Sequence, residues 1–406
     1  MHRRTTLTIF IALLAMACTP GAPPSFTVSE TLEVPVSGPS LGVRMSSGAS
    51  GQLLLSWMER RDDGADLRVS EFTNSGWAAP ILVVTDPRMF VNWADLPSVT
   101  AIGKDQWLAQ WLSYSADAPY AYDVRVAQSF DRGRKWTASQ SPHSDGTSTE
   151  HGFVSVYPDG MSTGLIWLDG RKTINEVDED PTSSGMTLRA ATIDSDGEIR
   201  REQEIDALVC DCCQTSVAVG SKGPIAAYRN RTEDEIRDIY ISRQRDGEWL
   251  AGTAIADDNW EIAGCPVNGP SIAASGDFVA VAWFTAANGV PLVKASISRN
   301  GGVSFSEPFL ISDKQPSGHV DIAYLGHSVF AVSWMEAGDD AEKVQLRALA
   351  SNGELGAVLT VGETNVSYNV PQMEAHDGEL LLAWTGADAE TSTIVSKRVR
   401  ELDTPQ

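Results

Sequence analysis

Seven times along the chain an apolar run ends in an aromatic residue: LLLSW to Trp57, WLAQW to Trp111, TGLIW to Trp167, PIAAY to Tyr228, VAVAW to Trp283, FAVSW to Trp334 and LLLAW to Trp384. The copies recur at intervals of 50 to 61 residues. Each follows a second short strand-like run, such as Pro97-Ser98-Val99 or Pro270-Ser271-Ile272, and precedes a third and a fourth, such as Asp123 to Gln128 and Trp77 to Val84. No stretch sustains the 3.6-residue period of a helical solenoid. Four short strands per repeat, separated by polar or glycine turns, predict an all-β fold, a β-propeller of seven four-stranded blades, or of six if one repeat is an insertion. The last repeat stops after Thr393 to Arg400 without a fourth strand, while the chain begins with an orphan strand, Phe26 to Pro35. Pairing that N-terminal strand with the last blade closes the ring and removes two sheet edges.

The ends divide the chain further. Met1-His2-Arg3-Arg4 is basic, and Leu7 to Ala17 is apolar but for Thr8, too short to span a bilayer and suited to an export signal. Leu14-Ala15-Met16-Ala17-Cys18 resembles the lipobox of bacterial lipoproteins, with Ala15 where leucine is commoner. That resemblance implies a signal peptide over 1–17, lipidation at Cys18, a proline-rich tether over 18–25 and a propeller domain over 26–406, anchored by lipid in the cell envelope on the periplasmic or outer-membrane side. Ordinary cleavage nearby, giving a secreted or soluble periplasmic protein, is the alternative. A net charge of −23 excludes nucleic acid and an anionic membrane surface as partners, since both require a basic footprint. Membrane contact is thus expected through the N-terminal lipid alone.

Ser129-Phe130-Asp131-Arg132-Gly133-Arg134-Lys135-Trp136 fits the Asp-box S-x-D-x-G-x-x-W, and Ser298 to Phe305 is a relaxed copy. With these motifs the chain resembles the sialidase-like (BNR-repeat) propellers over nearly all of its mature length. Resemblance to true sialidases implies three arginines on a substrate carboxylate, a tyrosine nucleophile paired with glutamate, and an aspartate acid/base, the chemistry of an exo-α-sialidase. Arg61, Asp62, Arg171, Arg231, Glu235 and Arg237 are the candidates for such a catalytic set, with Asp169 a further acid/base and Arg229 a further loop arginine. Ser37 stands where the first clamp arginine belongs, and Arg44 comes only at the end of that strand. The competing expectation is that these loop charges pair with one another on a solvated rim.

The segments that enter the inner strands converge over the channel of a propeller, the usual place for a ligand site. Cys210, Cys212, Cys213 and Cys265 all fall there, with His151 and His319. Thiolate and imidazole ligands suit copper(I) or zinc. In an extended segment Cys213 points away from Cys210 and Cys212, so the economical ligand set is Cys212 or Cys213 with Cys265 and His151. Disulfides, one joining Cys265 to the triplet, and reduced buried thiols are the competing states in an oxidising compartment. The runs C-D-C-C-Q-T and G-C-P-V-N-G-P resemble a pattern in a bacterial branch of these propellers. Trp93, Trp260 and Tyr120 are candidates for stacking on a sugar, whereas His143, His327 and His376 read as surface or turn residues. Three functions remain open: a metal- or redox-linked site, a glycosidase, and a binding or assembly module, with a small molecule, a glycan or an envelope protein as partner.

Overall fold

The computed structural model describes residues 23–48, 50–173, 185–366, 369–387 and 392–402. The expected signal peptide, Cys18 and most of the tether lie outside them. The seven repeats are seven antiparallel sheets. Their inner strands are Ser40–Ser47, Ser98–Ala101, His151–Asp159, Ser216–Gly220, Ser271–Ser275, Pro316–Gly326 and Gln372–His376. Each repeated aromatic lies in the second strand of its blade, and Trp57, Trp167, Tyr228 and Trp283 are fully buried. Apolar side chains alternate between the two faces of these strands, and both faces are covered, because each blade packs against a neighbour on either side. One such layer joins Trp334 and Phe330 to Trp260, Phe284 and Val293 of the preceding blade.

The outermost position is the least regular. Blade 2 has three full strands, and its fourth shrinks to a single bridge between Val126 and Gln140. In blade 4 the outer edge is divided into Glu248–Trp249 and Thr253–Ala254. Blade 7 takes its outer strand from the other end of the chain. Phe26–Leu32 runs antiparallel to Ser392–Glu401, from Phe26 opposite Glu401 to Leu32 opposite Ser396. The closure expected from the two incomplete ends is therefore present.

The Asp-boxes lie between third and fourth strands, on the face opposite the entries to the inner strands. Gly133 N–H donates to Ser129 Oγ at 2.8 Å, and Lys135 N–H donates to Asp131 Oδ1 at 2.8 Å. Gly133 has φ +79°, and a Cβ there would sit 2.8 Å from the Trp107 ring, so the turn requires glycine twice over. The copy at Ser298 repeats the device, with Asn300 Oδ1 accepting from Ser304 N–H at 3.0 Å.

At the other face, the inner strands of blades 1, 3 and 6 enter through register shifts at Leu41/Arg44, Gly152/Ser155 and Gly318/Asp321. Phe153 and His319 take positive φ in two of them, 52° and 49°. Bulges of this kind re-aim side chains at the mouth of the ring. If blade packing carries the stability, Trp283→Ala should lower the unfolding free energy by about 3–5 kcal/mol, whereas exposed Tyr120→Ala should change it by less than about 0.5 kcal/mol. Urea titration followed by tryptophan fluorescence compares the two.

Candidate functional site

The C-D-C-C run does not enter blade 4 as an extended strand. Asp211 and Cys212 form a turn, which returns the fourth side chain to the side of the first. Cys210 and Cys213 Sγ are consequently 3.2 Å apart, while Cys212 is sent outward into a disulfide with Cys265, with the Cα atoms 5.9 Å apart. The expected opposition of Cys213 to Cys210 is thereby corrected. The C-x-x-C spacing contained within C-x-C-C was the signal that could have revealed it.

Cys210 and Cys213 are buried, whereas Cys265 is exposed. Arg237 Nη1 lies 3.4 Å from Cys210 Sγ. The neighbouring Cys213 sulfur, then the Cys212 amide and the charges of Arg229 and Arg237, hold Cys210 below the usual thiol range against the effect of burial. Burial and the neighbouring Cys210 push Cys213 the other way. The two sulfurs are thus biased in opposite directions, Cys210 towards the thiolate and Cys213 towards the thiol.

The G-C-P-V-N-G-P segment holds this turn in place. Arg229, 2% exposed, donates through Nε and Nη2 to Asn268 O at 3.0 and 2.8 Å and lies over the Trp260 ring at 4.8 Å. Asn268 Oδ1 accepts from His319 N–H at 2.7 Å. Gln214 Nε2 donates to Ala94 O at 2.9 Å, and Gln214 Oε1 accepts from Gly269 N–H at 3.2 Å, so blades 2, 4 and 5 meet at one side chain. A Cβ on Gly269 would lie 2.1 Å from Gln214 O, so no other residue lets the two loops approach this closely. Val267, a β-branched residue, sits at φ +48° in the same loop, a strained conformation of the kind found near working sites.

His151 is separated from the cysteines in any ligand set. It is fully buried and stacks on His143, with the rings 3.8 Å apart and 4° from parallel. Its Nδ1 faces Thr149 O at 3.2 Å, and its Nε2 lies 3.2 Å from Asp145 Oδ2 and 3.7 Å from Asp169 Oδ1. Among the described residues, the groupings able to hold an ion place the three neighbouring cysteines in one set and His151 in two others, with Asp123 and His143 or with Asp145 and Asp169; His319 belongs to none. The economical set of Cys212 or Cys213, Cys265 and His151 is thus divided between a sulfur cluster and an imidazole–carboxylate cluster. Arg171 already neutralises the latter, donating through Nε to Asp169 Oδ1 and through Nη2 to Asp169 Oδ2, both at 2.7 Å. His143, expected at the surface, is buried; burial and then the His151 charge lower its pKa to about 4.

The remaining arginines are also engaged. Arg61, exposed beside exposed Asp62, lies 3.4 Å from Asp66. Arg231 and Arg237 grip opposite oxygens of Glu235 at 2.6 and 2.8 Å. The expectation of a rim on which loop charges pair with one another describes these groups. A Tyr–Glu pair does exist, Tyr122 donating to Glu150, but Tyr122 is 1% exposed and stacks under Phe90 at 4.1 Å. Burial first, then the Asp95 and Glu150 charges, push its hydroxyl far above the usual phenol range. Trp260 is part of the core, Trp93 packs edge-on to His319 at 5.9 Å, and Tyr120 is 67% exposed.

Below the rim a central channel of about 690 Å³ runs between the inner strands, lined by Arg44, His319, Asp321 and Glu374 among others. Burial and then Asp321 push Glu374 up to about 7.

No protein-family model matches the chain, and no curated protein matches it. Solved structures do. A protein of unknown function from Dyadobacter fermentans is 11% identical, covering 93% of this chain and 100% of that one, with a TM-score of 0.51. A polysaccharide lyase is 11% identical over 91% of each chain with a TM-score of 0.51. A Hadza microbial sialidase is 13% identical over 84% of this chain and 74% of that one, at 0.50. At such identities the likeness establishes the fold alone, a seven-bladed β-propeller.

The imidazole–carboxylate cluster has a pH signature. Burial raises the Asp145 pKa, but the Thr147 hydroxyl and amide, with the charges of His151 and Arg171, outweigh it and hold the carboxyl well below the usual range. A folded-state pKa below the unfolded value adds stability above the unfolded value of about 3.9 and loses it as pH falls through the folded value. The stability advantage of the native chain over Asp145→Asn, from urea unfolding, should hold steady from about pH 7 to about pH 4.5 and narrow below that.

Proposed function

We propose that the chain is a lipid-anchored envelope protein whose working centre is a thiol–disulfide site at the rim of the propeller. The observation that carries this reading is the Cys210–Cys213 pair, with sulfurs 3.2 Å apart beside the Cys212–Cys265 bridge. The pair is arranged as a redox dithiol would be, with one sulfur biased towards the thiolate by a guanidinium at 3.4 Å and by the neighbouring sulfur. The bridge engages Cys212 and Cys265, so copper(I) or zinc binding at this centre by more than two sulfurs requires its reduction first. For the glycosidase, the specific observation runs the other way: the arginines that a carboxylate clamp would use are occupied by Asp66, Asp169 and Glu235.

Two measurements test the proposal. The native chain, equilibrated in thiol buffers of graded poise and quenched with acid, should pass reversibly from two alkylatable thiols to none as Cys210 and Cys213 join. A count fixed at two across the whole range would sink the redox centre. The anchor is tested separately: Cys18→Ser should move the protein from the membrane to the soluble fraction, and the native protein should carry the mass of acyl chains on Cys18. Membrane retention of the variant would remove the lipid anchor.

A further inference from the structure

Cys210 and Cys213 are 0% and 2% exposed, so no polypeptide outside the chain can reach either sulfur. A redox dithiol sealed in this way needs a conductor. The structure provides one at the same spot: the sulfurs of Cys210, Cys212 and Cys213 all lie within 4.8 Å of one another, and Cys212 is bridged to the exposed Cys265. We infer that the four cysteines form one exchange circuit, in which the buried Cys210/Cys213 dithiol isomerises with the Cys212–Cys265 disulfide and presents Cys265 as the reactive thiol towards a disulfide-bonded polypeptide. This rests on the thiol–disulfide reading and deepens it by naming the outlet and the class of partner.

The steps need no external oxidant until the partner enters. The Cys210 thiolate attacks Cys212 Sγ; a Cys210–Cys212 bond forms, the Cys212–Cys265 bond breaks, and Cys265 leaves as a thiolate at the surface. Cys213 attacks Cys210 Sγ and expels Cys212, and its proton passes to the departing Cys212 sulfur, which lies within 4.8 Å. The chain then holds a Cys210–Cys213 disulfide and a Cys212/Cys265 dithiol, with the same atoms and electrons as before. The Cys265 thiolate next attacks a disulfide of the partner and releases one partner thiolate; Cys212 resolves the mixed disulfide by attacking Cys265 and releases the other. The partner has gained two electrons and the chain holds two disulfides.

Each participant has a structural reason for its role. Arg237, 3.4 Å from Cys210 Sγ, favours the attacking thiolate. Asn268, locked by Arg229 and His319 three residues beyond Cys265, keeps the far end of the loop in place when the bridge opens. The turn at Asp211 and Cys212 sets Cys212 between the buried pair and the outlet.

The test uses the mature lipidated chain with Cys210 and Cys213 reduced, pulsed under native conditions with a bulky maleimide, quenched in acid and mapped by peptide mass. The expected map shows maleimide on Cys265 and Cys212 with Cys210 bridged to Cys213. Cys210→Ser should reduce labelling of Cys265 by about tenfold or more. Cys213→Ser should stop the exchange after its first step, leaving Cys265 labelled and Cys210 bridged to Cys212. The wild-type map needs no variant to fold. If it shows Cys212–Cys265 intact and Cys265 unlabelled while the thiol count still responds to redox poise, the circuit is overturned and the redox centre stands. If the count does not respond either, both fall.

Discussion

The packing of one blade's second strand against the next is the contact on which everything else here depends. A four-stranded sheet cannot bury both faces alone, and the aromatic residues from Trp57 to Trp384 fill the wedge between neighbours. The ring has to close for the first and last wedges to be filled. Phe26–Leu32 achieves that by pairing with Ser392–Glu401, while Leu32 and Val34 enter the same apolar layer as Leu381 and Trp57. Rigidity at the rim is inherited from this packing, because every rim loop springs from strands whose positions the wedges fix.

On that frame the rim loops are tied to one another across blades. Gln214 of blade 4 reaches Ala94 before blade 2 and Gly269 before blade 5, and Arg229 reaches Asn268 and Phe284. Ser155 and Thr215 link blades 3 and 4 by a hydroxyl pair at 2.9 Å. Buried polar groups impose strict partner requirements, so these links specify the loop conformations that bring two distant cysteine segments together. The adjoining imidazole–carboxylate cluster uses the same logic in blades 2 and 3, with Arg171 supplying the countercharge. The two clusters influence each other electrostatically, since Asp211 adds to the upward shift of Glu150 beside His151.

The fold was legible because its signal is periodic and therefore redundant. Losing one strand, as blade 2 does, left the count of seven intact. The meeting of the cysteine triplet with Cys265 was legible for a related reason: the repeat placed both segments at inner-strand entries, and equivalent positions in a ring lie on one face. Direction within a loop carries no such periodic signal. Cys213 was expected to point away from Cys210 on the assumption of extended backbone, but a turn reverses that. His143 reads from the sequence as a surface or turn residue because nothing local marks a buried histidine; its burial is decided by His151 and Asp145, whose positions depend on the link from blade 2 to blade 3.

The sequence by itself determined the repeat and its seven copies, the closing strand, the face on which the cysteines gather and the turns that need glycine, because each of these follows from local strand patterning repeated at a near-regular interval. Only the tertiary structure decided which sulfur bridges to Cys265, which pair stays reduced beneath it, and that the rim arginines are engaged rather than free. Those outcomes turn on loop conformations held by side chains from three or four blades at once, and no single stretch of sequence contains them.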